Sequence, residues 1–210
     1  MIDQLAPVMI VRYADRTRLN HWFVALMFLC AGLTGLAIFH PLFFPFVYLF
    51  GGGVWARILH PFFGVVMTIA FLGLFIGLWH ENVMDSNDRV WLKNARRLMS
   101  GHEEAMPAVG RNNAGQKLVF WTAAACLAIL LVTGVMFWQP WFADYFSVFV
   151  RRIAVVLHAA SATVLILTII VHIYAAIYVK GSIQAMTRGT VSEGWARFHH
   201  PLWWRQIRGK

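Results

Sequence analysis

Four apolar stretches, each long enough to cross a bilayer, constrain this 210-residue chain more than any other feature. A spanning helix needs about 20 mostly apolar residues. The stretches run over residues 19–39, 54–80, 116–138 and 152–180. Segments of this length satisfy their backbone groups in the bilayer as helices. The expected fold is therefore all-α: an integral membrane four-helix bundle, with residues 1–210 as a single domain. The second and fourth stretches exceed the minimum and are expected to tilt or to extend beyond the bilayer. Composition agrees, with 13% charged residues against about 25% in soluble domains. Residues 1–20 are polar, and the first apolar stretch is too long for a cleaved signal segment, so no signal peptide is expected.

The connecting segments differ in character. The first, residues 40–53, holds Pro41, Pro45 and the run Gly51-Gly52-Gly53, which break helix. The second, residues 81–115, is long and polar. Within it Trp91, Ala95, Leu98 and Met99 fall at helical spacing opposite Lys93, Arg96 and Arg97, which predicts a short amphipathic helix on the membrane surface. The third, residues 139–151, carries Trp141, Phe142, Tyr145 and Phe146 as interface anchors. Residues 181–210 form a basic tail.

Four spans put both termini and the second loop on one side. Of the 18 lysines and arginines, only Arg57, Arg151 and Arg152 fall on the other. The positive-inside rule then makes both termini of this multi-pass chain cytoplasmic. The net charge is +9, and the basic residues flank the spans. This pattern suits anionic membrane lipid and not nucleic acid. Cys30 and Cys126 lie inside spans and read as buried apolar thiols; two cysteines are too few for an iron–sulfur cluster.

His21, His60, His158 and His172 lie within spans, where an ionisable group is costly and is a functional candidate by default. Taken singly, each could be a neutral histidine bonded to a neighbouring helix. Together they form a pattern. His158 and His172 are 14 residues apart on the fourth span, about 40° apart around the helix and about 21 Å apart along it. Span direction places His21 and His172 towards the inner leaflet and His60 and His158 towards the outer. Two pairs, each from two helices, suit two bis-histidine b haems at two depths. Ligands about 21 Å apart cannot share one zinc or copper ion. Propionates need cations, and Arg18, Arg57 and Arg151 each precede a candidate ligand on its surface side. Gly35 and Gly64 either make room for the porphyrin or allow close helix packing. His40, His80, His102, His199 and His200 lie at span ends, in a loop and in the tail, where solvated or interfacial roles are expected, with His80 a candidate neighbour of a quinone pocket.

These residues resemble a known family, the cytochrome b (gamma) subunit of membrane-bound formate dehydrogenases. The likeness is carried by Asn20-His21-Trp22, Arg57-Ile58-Leu59-His60-Pro61-Phe62-Phe63-Gly64 and Asn113-Ala114-Gly115-Gln116-Lys117. Leu157-His158-Ala159-Ala160, Val171-His172-Ile173-Tyr174, Val179-Lys180-Gly181-Ser182-Ile183 and His199-His200-Pro201 extend it over nearly the whole chain. The resemblance implies partners: a periplasmic catalytic (alpha) subunit with a molybdenum or tungsten pterin, and an iron–sulfur (beta) subunit that feeds the outer haem. It also implies reduction of a quinone, menaquinone or ubiquinone, on the cytoplasmic side. The family's quinone site maps onto Asn113, Gly115, Gln116 and His172, although Asn113 is equally placed to cap the third span. Substrate oxidation is not expected in this chain, which acts as the electron-transfer part of a formate-oxidising respiratory complex. The alternatives are a cytochrome b serving a hydrogenase or another periplasmic dehydrogenase, a freestanding haem protein, and a haem-free anchor or transporter.

Overall fold

The computed structural model describes residues 7–99 and 106–209. Four long helices dominate: α1 (Asp15–Phe39), α2 (Gly53–Leu78), α4 (Ala114–Phe137) and α5 (Val148–Tyr178), with the amphipathic helix α3 (Ser86–Met99) between α2 and α4. The four are long and apolar enough to cross a membrane. Their ends depart from the apolar boundaries by up to four residues, because hydropathy marks the bilayer while local bonding ends the helix. α1 begins at Asp15, whose carboxylate takes a 2.7 Å bond from Arg18 one turn on. α5 begins at Val148, where the Ser147 hydroxyl accepts the Val150 amide. The last turn of α2 tightens into a 3-10 turn over Trp79–Asn82.

The first loop is more ordered than its glycines and prolines suggest. Pro41–Phe50 forms a 3-10 helix. Proline suits its first turn because the missing amide has no partner there anyway. His40 caps it by accepting the Leu42 amide at Nδ1, and Gly51 closes it at φ 85°, a conformation that favours glycine.

The chain divides into two compact units. One comprises Leu19–Gly77 and Thr122–Ile170. Its core draws on all four long helices: Ala31, Met67, Ala123, Cys126, Leu127 and Leu165. Small residues there bring backbones close, which is how helices pack when lipid is as apolar as the side chains. Leu26, Leu29, Ile69, Ile76, Val132 and Leu167 on the same helices are exposed, as lipid-facing positions should be. Both cysteines are free, Cys126 buried and Cys30 half-buried.

The other unit comprises Met1–Arg18, Leu78–Trp121 and Val171–Lys210. Here the basic tail proves to be folded. It holds α6 (Ser182–Thr187), strand β2 (Thr190–Ser192), α7 (Glu193–His199) and α8 (Pro201–Arg208). β2 pairs antiparallel with β1 (Met9–Val11), Ile10 opposite Val191. Ala185, Val191, Ala196 and Trp203 form the core beneath. Ser192 caps α7 by accepting the Trp195 amide. Arg12 is buried between the Trp195 and Trp203 rings, 5.1 and 4.9 Å from their centroids, and donates to Arg111 O at 2.7 Å.

His200 is buried, contrary to the solvated role its tail position suggests. Burial, and then the Arg12 guanidinium, push it down to about 3, so the ring is neutral. Nδ1 donates to Gly110 O at 2.9 Å and Nε2 accepts from Arg12 at 3.3 Å. His102 lies outside the described residues, as do the side chains of Arg97, Leu98 and Met99.

α3 is tied to the start of α4. Lys117 Nζ lies 2.7 Å from Asp88 and 3.2 Å from Asp85. The Trp91 ring of α3 fits over Gly115, where an added Cβ would sit 3.1 Å from it. Trp91 is half-buried and Lys93 exposed, the amphipathic arrangement expected of this segment.

Candidate functional site

Two of the four span histidines meet within one unit. His60 stands about two turns into α2, and His158 about three turns into α5. Their ring centroids are 6.2 Å apart with the planes at 66°. Two imidazoles on opposite sides of one metal ion, each nitrogen about 2 Å from it, have centroids roughly 6 Å apart. The pair therefore has a spacing at which the two rings could hold one metal ion between them.

Each ring is held through Nδ1. His60 Nδ1 lies 3.1 Å from Thr34 Oγ1 and 3.2 Å from Ala31 O, both on α1. His158 Nδ1 lies 3.0 Å from Thr133 Oγ1 on α4. An imidazole whose Nδ1–H is occupied by an acceptor presents Nε2 to a metal, the usual orientation of a ligating histidine. Glycine clears space beside each ring. A Cβ at Gly35 would come within 3.0 Å of His60 Cε1, and one at Gly134 within 3.3 Å of His158 Cε1. Gly35 thus makes room for the His60 ring itself; at Gly64 an added Cβ meets nothing within 4 Å. Phe137 meets His158 edge-on at 5.1 Å.

Thr34, Thr133 and Gly134 are absent from the residues singled out by sequence. The signal that would have found them is a repeated dipeptide, Thr34-Gly35 and Thr133-Gly134, standing 26 and 25 residues before His60 and His158 when counted from the threonines.

The other candidates stand on several elements. His21 is half-buried near the start of α1, edge-on to Trp22 at 5.4 Å. His172 is half-buried on the last part of α5, in the unit that also holds the folded tail. Of the arginines, Arg57 is exposed, Arg151 is half-buried with Asp144 at 3.8 Å, and Arg18 bonds Asp15 and the Thr187 carbonyl. Asn113 and Gln116 form a reciprocal capping box at the start of α4. The Gln116 amide donates to Asn113 Oδ1 at 2.9 Å, and the Asn113 amide to Gln116 Oε1 at 3.0 Å. Capping uses the side-chain oxygens of both residues and leaves their NH2 groups, the donors a quinone carbonyl needs, unspent by it.

The family model of prokaryotic cytochrome b561 matches residues 12–189. The chain belongs to the prokaryotic cytochrome b561 family. Its relatives extend the match. The cytochrome b556(fdo) subunit of formate dehydrogenase from Escherichia coli (strain K12) is 46% identical over 95% of this chain and 93% of its own length. The cytochrome b556(Fdn) subunit of the nitrate-inducible formate dehydrogenase of the same strain is 42% identical over 95% and 92%. A formate dehydrogenase cytochrome b556 subunit of Haemophilus influenzae is 41% identical over 94% and 83%. The resemblance read from the histidine and loop motifs is thereby borne out. This cytochrome b561 is a multi-pass protein of the bacterial inner membrane, and its family implies haem b. The donor set fits that group: two neutral-capable imidazoles at ligand spacing, both oriented through Nδ1, in an apolar setting.

Proposed function

We propose that this cytochrome b561 is the di-haem membrane subunit of a formate dehydrogenase, carrying electrons from a periplasmic iron–sulfur subunit to a quinone reduced at the cytoplasmic side. The observation that carries the reading is the 6.2 Å separation of His60 and His158, joined to relatives that are formate dehydrogenase subunits. Haem b, when bound, supplies a one-electron couple. His60 and His158 would hold the outer haem. His21 and His172 would hold the inner one, a pairing that rests on span direction and on the 14-residue interval between His158 and His172. Arg57 and Arg151 would face the outer propionates and Arg18 an inner one. The excess of arginine and lysine flanking one side of the spans supports cytoplasmic termini.

The chain itself has too few cysteines for a cluster, so it depends on an iron–sulfur (beta) subunit and a pterin-bearing (alpha) subunit for electrons. Asn113 and Gln116 would offer amide donors to a quinone carbonyl beside Gly115 and His172, and the quinol would take its protons from the cytoplasm.

The test is kinetic. In the purified complex, formate is expected to reduce b-haem absorbance and then quinone. Asn113→Ala should leave haem reduction by formate unchanged and slow quinone reduction about tenfold, the effect of one lost hydrogen bond of about 1.4 kcal/mol. Quinone kinetics equal to those of the unsubstituted complex would remove Asn113 from the site and leave it as the cap of α4.

A further inference from the structure

His60 and His158 are held by the same device twice. Thr34 directs its hydroxyl to Cys30 O at 2.7 Å, with Ala31 O at 3.1 Å. Thr133 directs its hydroxyl to Ile129 O at 2.6 Å. A hydroxyl has one proton and two lone pairs. With the proton committed to its own helix, each Oγ1 meets the neighbouring Nδ1 as an acceptor. Ala31 O, three residues before Thr34, is a second acceptor for His60. Both Nδ1 atoms must therefore carry the proton. Thr34 is 0% exposed and Thr133 5%, so water does not compete for these bonds. Threonine in a spanning helix commonly bonds its own carbonyl and nothing else. That habit accounts for neither hydroxyl standing within 3.1 Å of a candidate ligand nitrogen, nor for a glycine following each to clear the ring.

We propose that Thr34 and Thr133 are positioning residues for the outer haem: they fix the Nδ1-protonated tautomer of His60 and His158, aim both Nε2 atoms at one iron, and lower the potential of that haem. The inference rests on the ligation of the outer haem by this histidine pair. An acceptor on the outer nitrogen raises the basicity of a ligating imidazole. A more basic axial ligand favours ferric over ferrous iron, and bonding around the ligand is one of the levers a protein has on haem potential.

The test uses the full-length chain purified with its haem. Thr34→Val, Thr133→Val, the double substitution and the two serine variants are titrated optically, and the ferric states are compared by electron paramagnetic resonance. Valine matches threonine in shape and lacks the acceptor. Thr133→Val is expected to shift the outer couple about tenfold towards the reduced form, a rise of about 59 mV for one electron, and Thr34→Val to shift it the same way by less, because Ala31 O still accepts from His60. The double variant should move it further, the inner couple should stay, and serine should restore the original value. Both haems retained with an unmoved outer potential and ferric spectrum would overturn the inference while leaving the ligation reading intact. Where a valine variant loses the outer haem, its serine counterpart decides. Haem kept at the original potential supports the role of the hydroxyl, and haem lost with serine too overturns it. An unsubstituted chain with no outer haem would overturn the ligation reading and this inference together.

Discussion

A His60→Ala chain is expected to carry one haem b, against the two proposed for the unsubstituted chain. The substitution removes one of the two rings that stand 6.2 Å apart and leaves Thr34 and Gly35 facing an empty place on α2. His158 keeps its bond to Thr133 but would lack the second imidazole needed to hold the haem. The remaining two ligand candidates lie elsewhere, His21 near the start of α1 and His172 on the last part of α5, so the second haem should be retained at its original potential. With the outer haem gone, formate-dependent quinone reduction in the complex should fall to background. Pyridine haemochrome analysis and a redox titration check both statements. Loss of both haems at normal protein yield would mean that the sites are not independent. Retention of both would remove His60 as a ligand.

Lys117→Met should destabilise the start of α4 by about 3–5 kcal/mol, because it leaves a buried carboxylate without its cation. The Lys117 and Asp88 side chains are 6% and 3% exposed and bond at 2.7 Å. Asp88 also accepts the Asp85 amide at 2.7 Å, a bond that cannot offset a full charge. Asp85 is 57% exposed, so its share of the pairing is screened by solvent. The consequence should be local: α3 loosens from α4 and the Trp91 ring leaves Gly115. Replacing both partners, as Lys117→Met with Asp88→Leu, should cost much less than either single change, since no unpaired charge stays buried. Thermal unfolding in detergent, followed by tryptophan fluorescence, measures the three variants. A single-variant cost below about 1 kcal/mol would place the pair among ordinary surface contacts.

The membrane helices were legible because hydropathy over some 20 residues reports directly on the solvent a segment needs. Their ends were not, because Asp15 and Ser147 extend α1 and α5 through single hydrogen bonds that hydropathy does not register. The folded tail was hidden for a related reason. β2 is three residues long, too short for any alternation, and it pairs with Met9–Val11 from the opposite end of the sequence. Arg12 and His200 are buried together beside that pairing, whereas in the sequence Arg12 reads as a membrane-surface charge and His200 as solvated or interfacial. The capping box at Asn113 and Gln116 was within reach, since an amide three residues before a glutamine at a span start is a recognised signature.

The histidines stood out in the sequence by position and number, yet Thr34 and Thr133, whose hydroxyls meet two of them, did not. A threonine within a span is unremarkable alone; its meaning depends on which side chain from another helix comes to its hydroxyl. Thr34-Gly35 and Thr133-Gly134 acquire significance only once His60 and His158 are seen beside them. The Gly35 reading changed for the same reason: the space it keeps open is filled by the His60 ring.

The most direct test of the account is a dithionite-reduced spectrum and pyridine haemochrome count on the full-length chain purified in detergent. Two b haems per chain is the expected result. Well-folded, fully expressed protein without haem would contradict it and leave a membrane anchor or transporter.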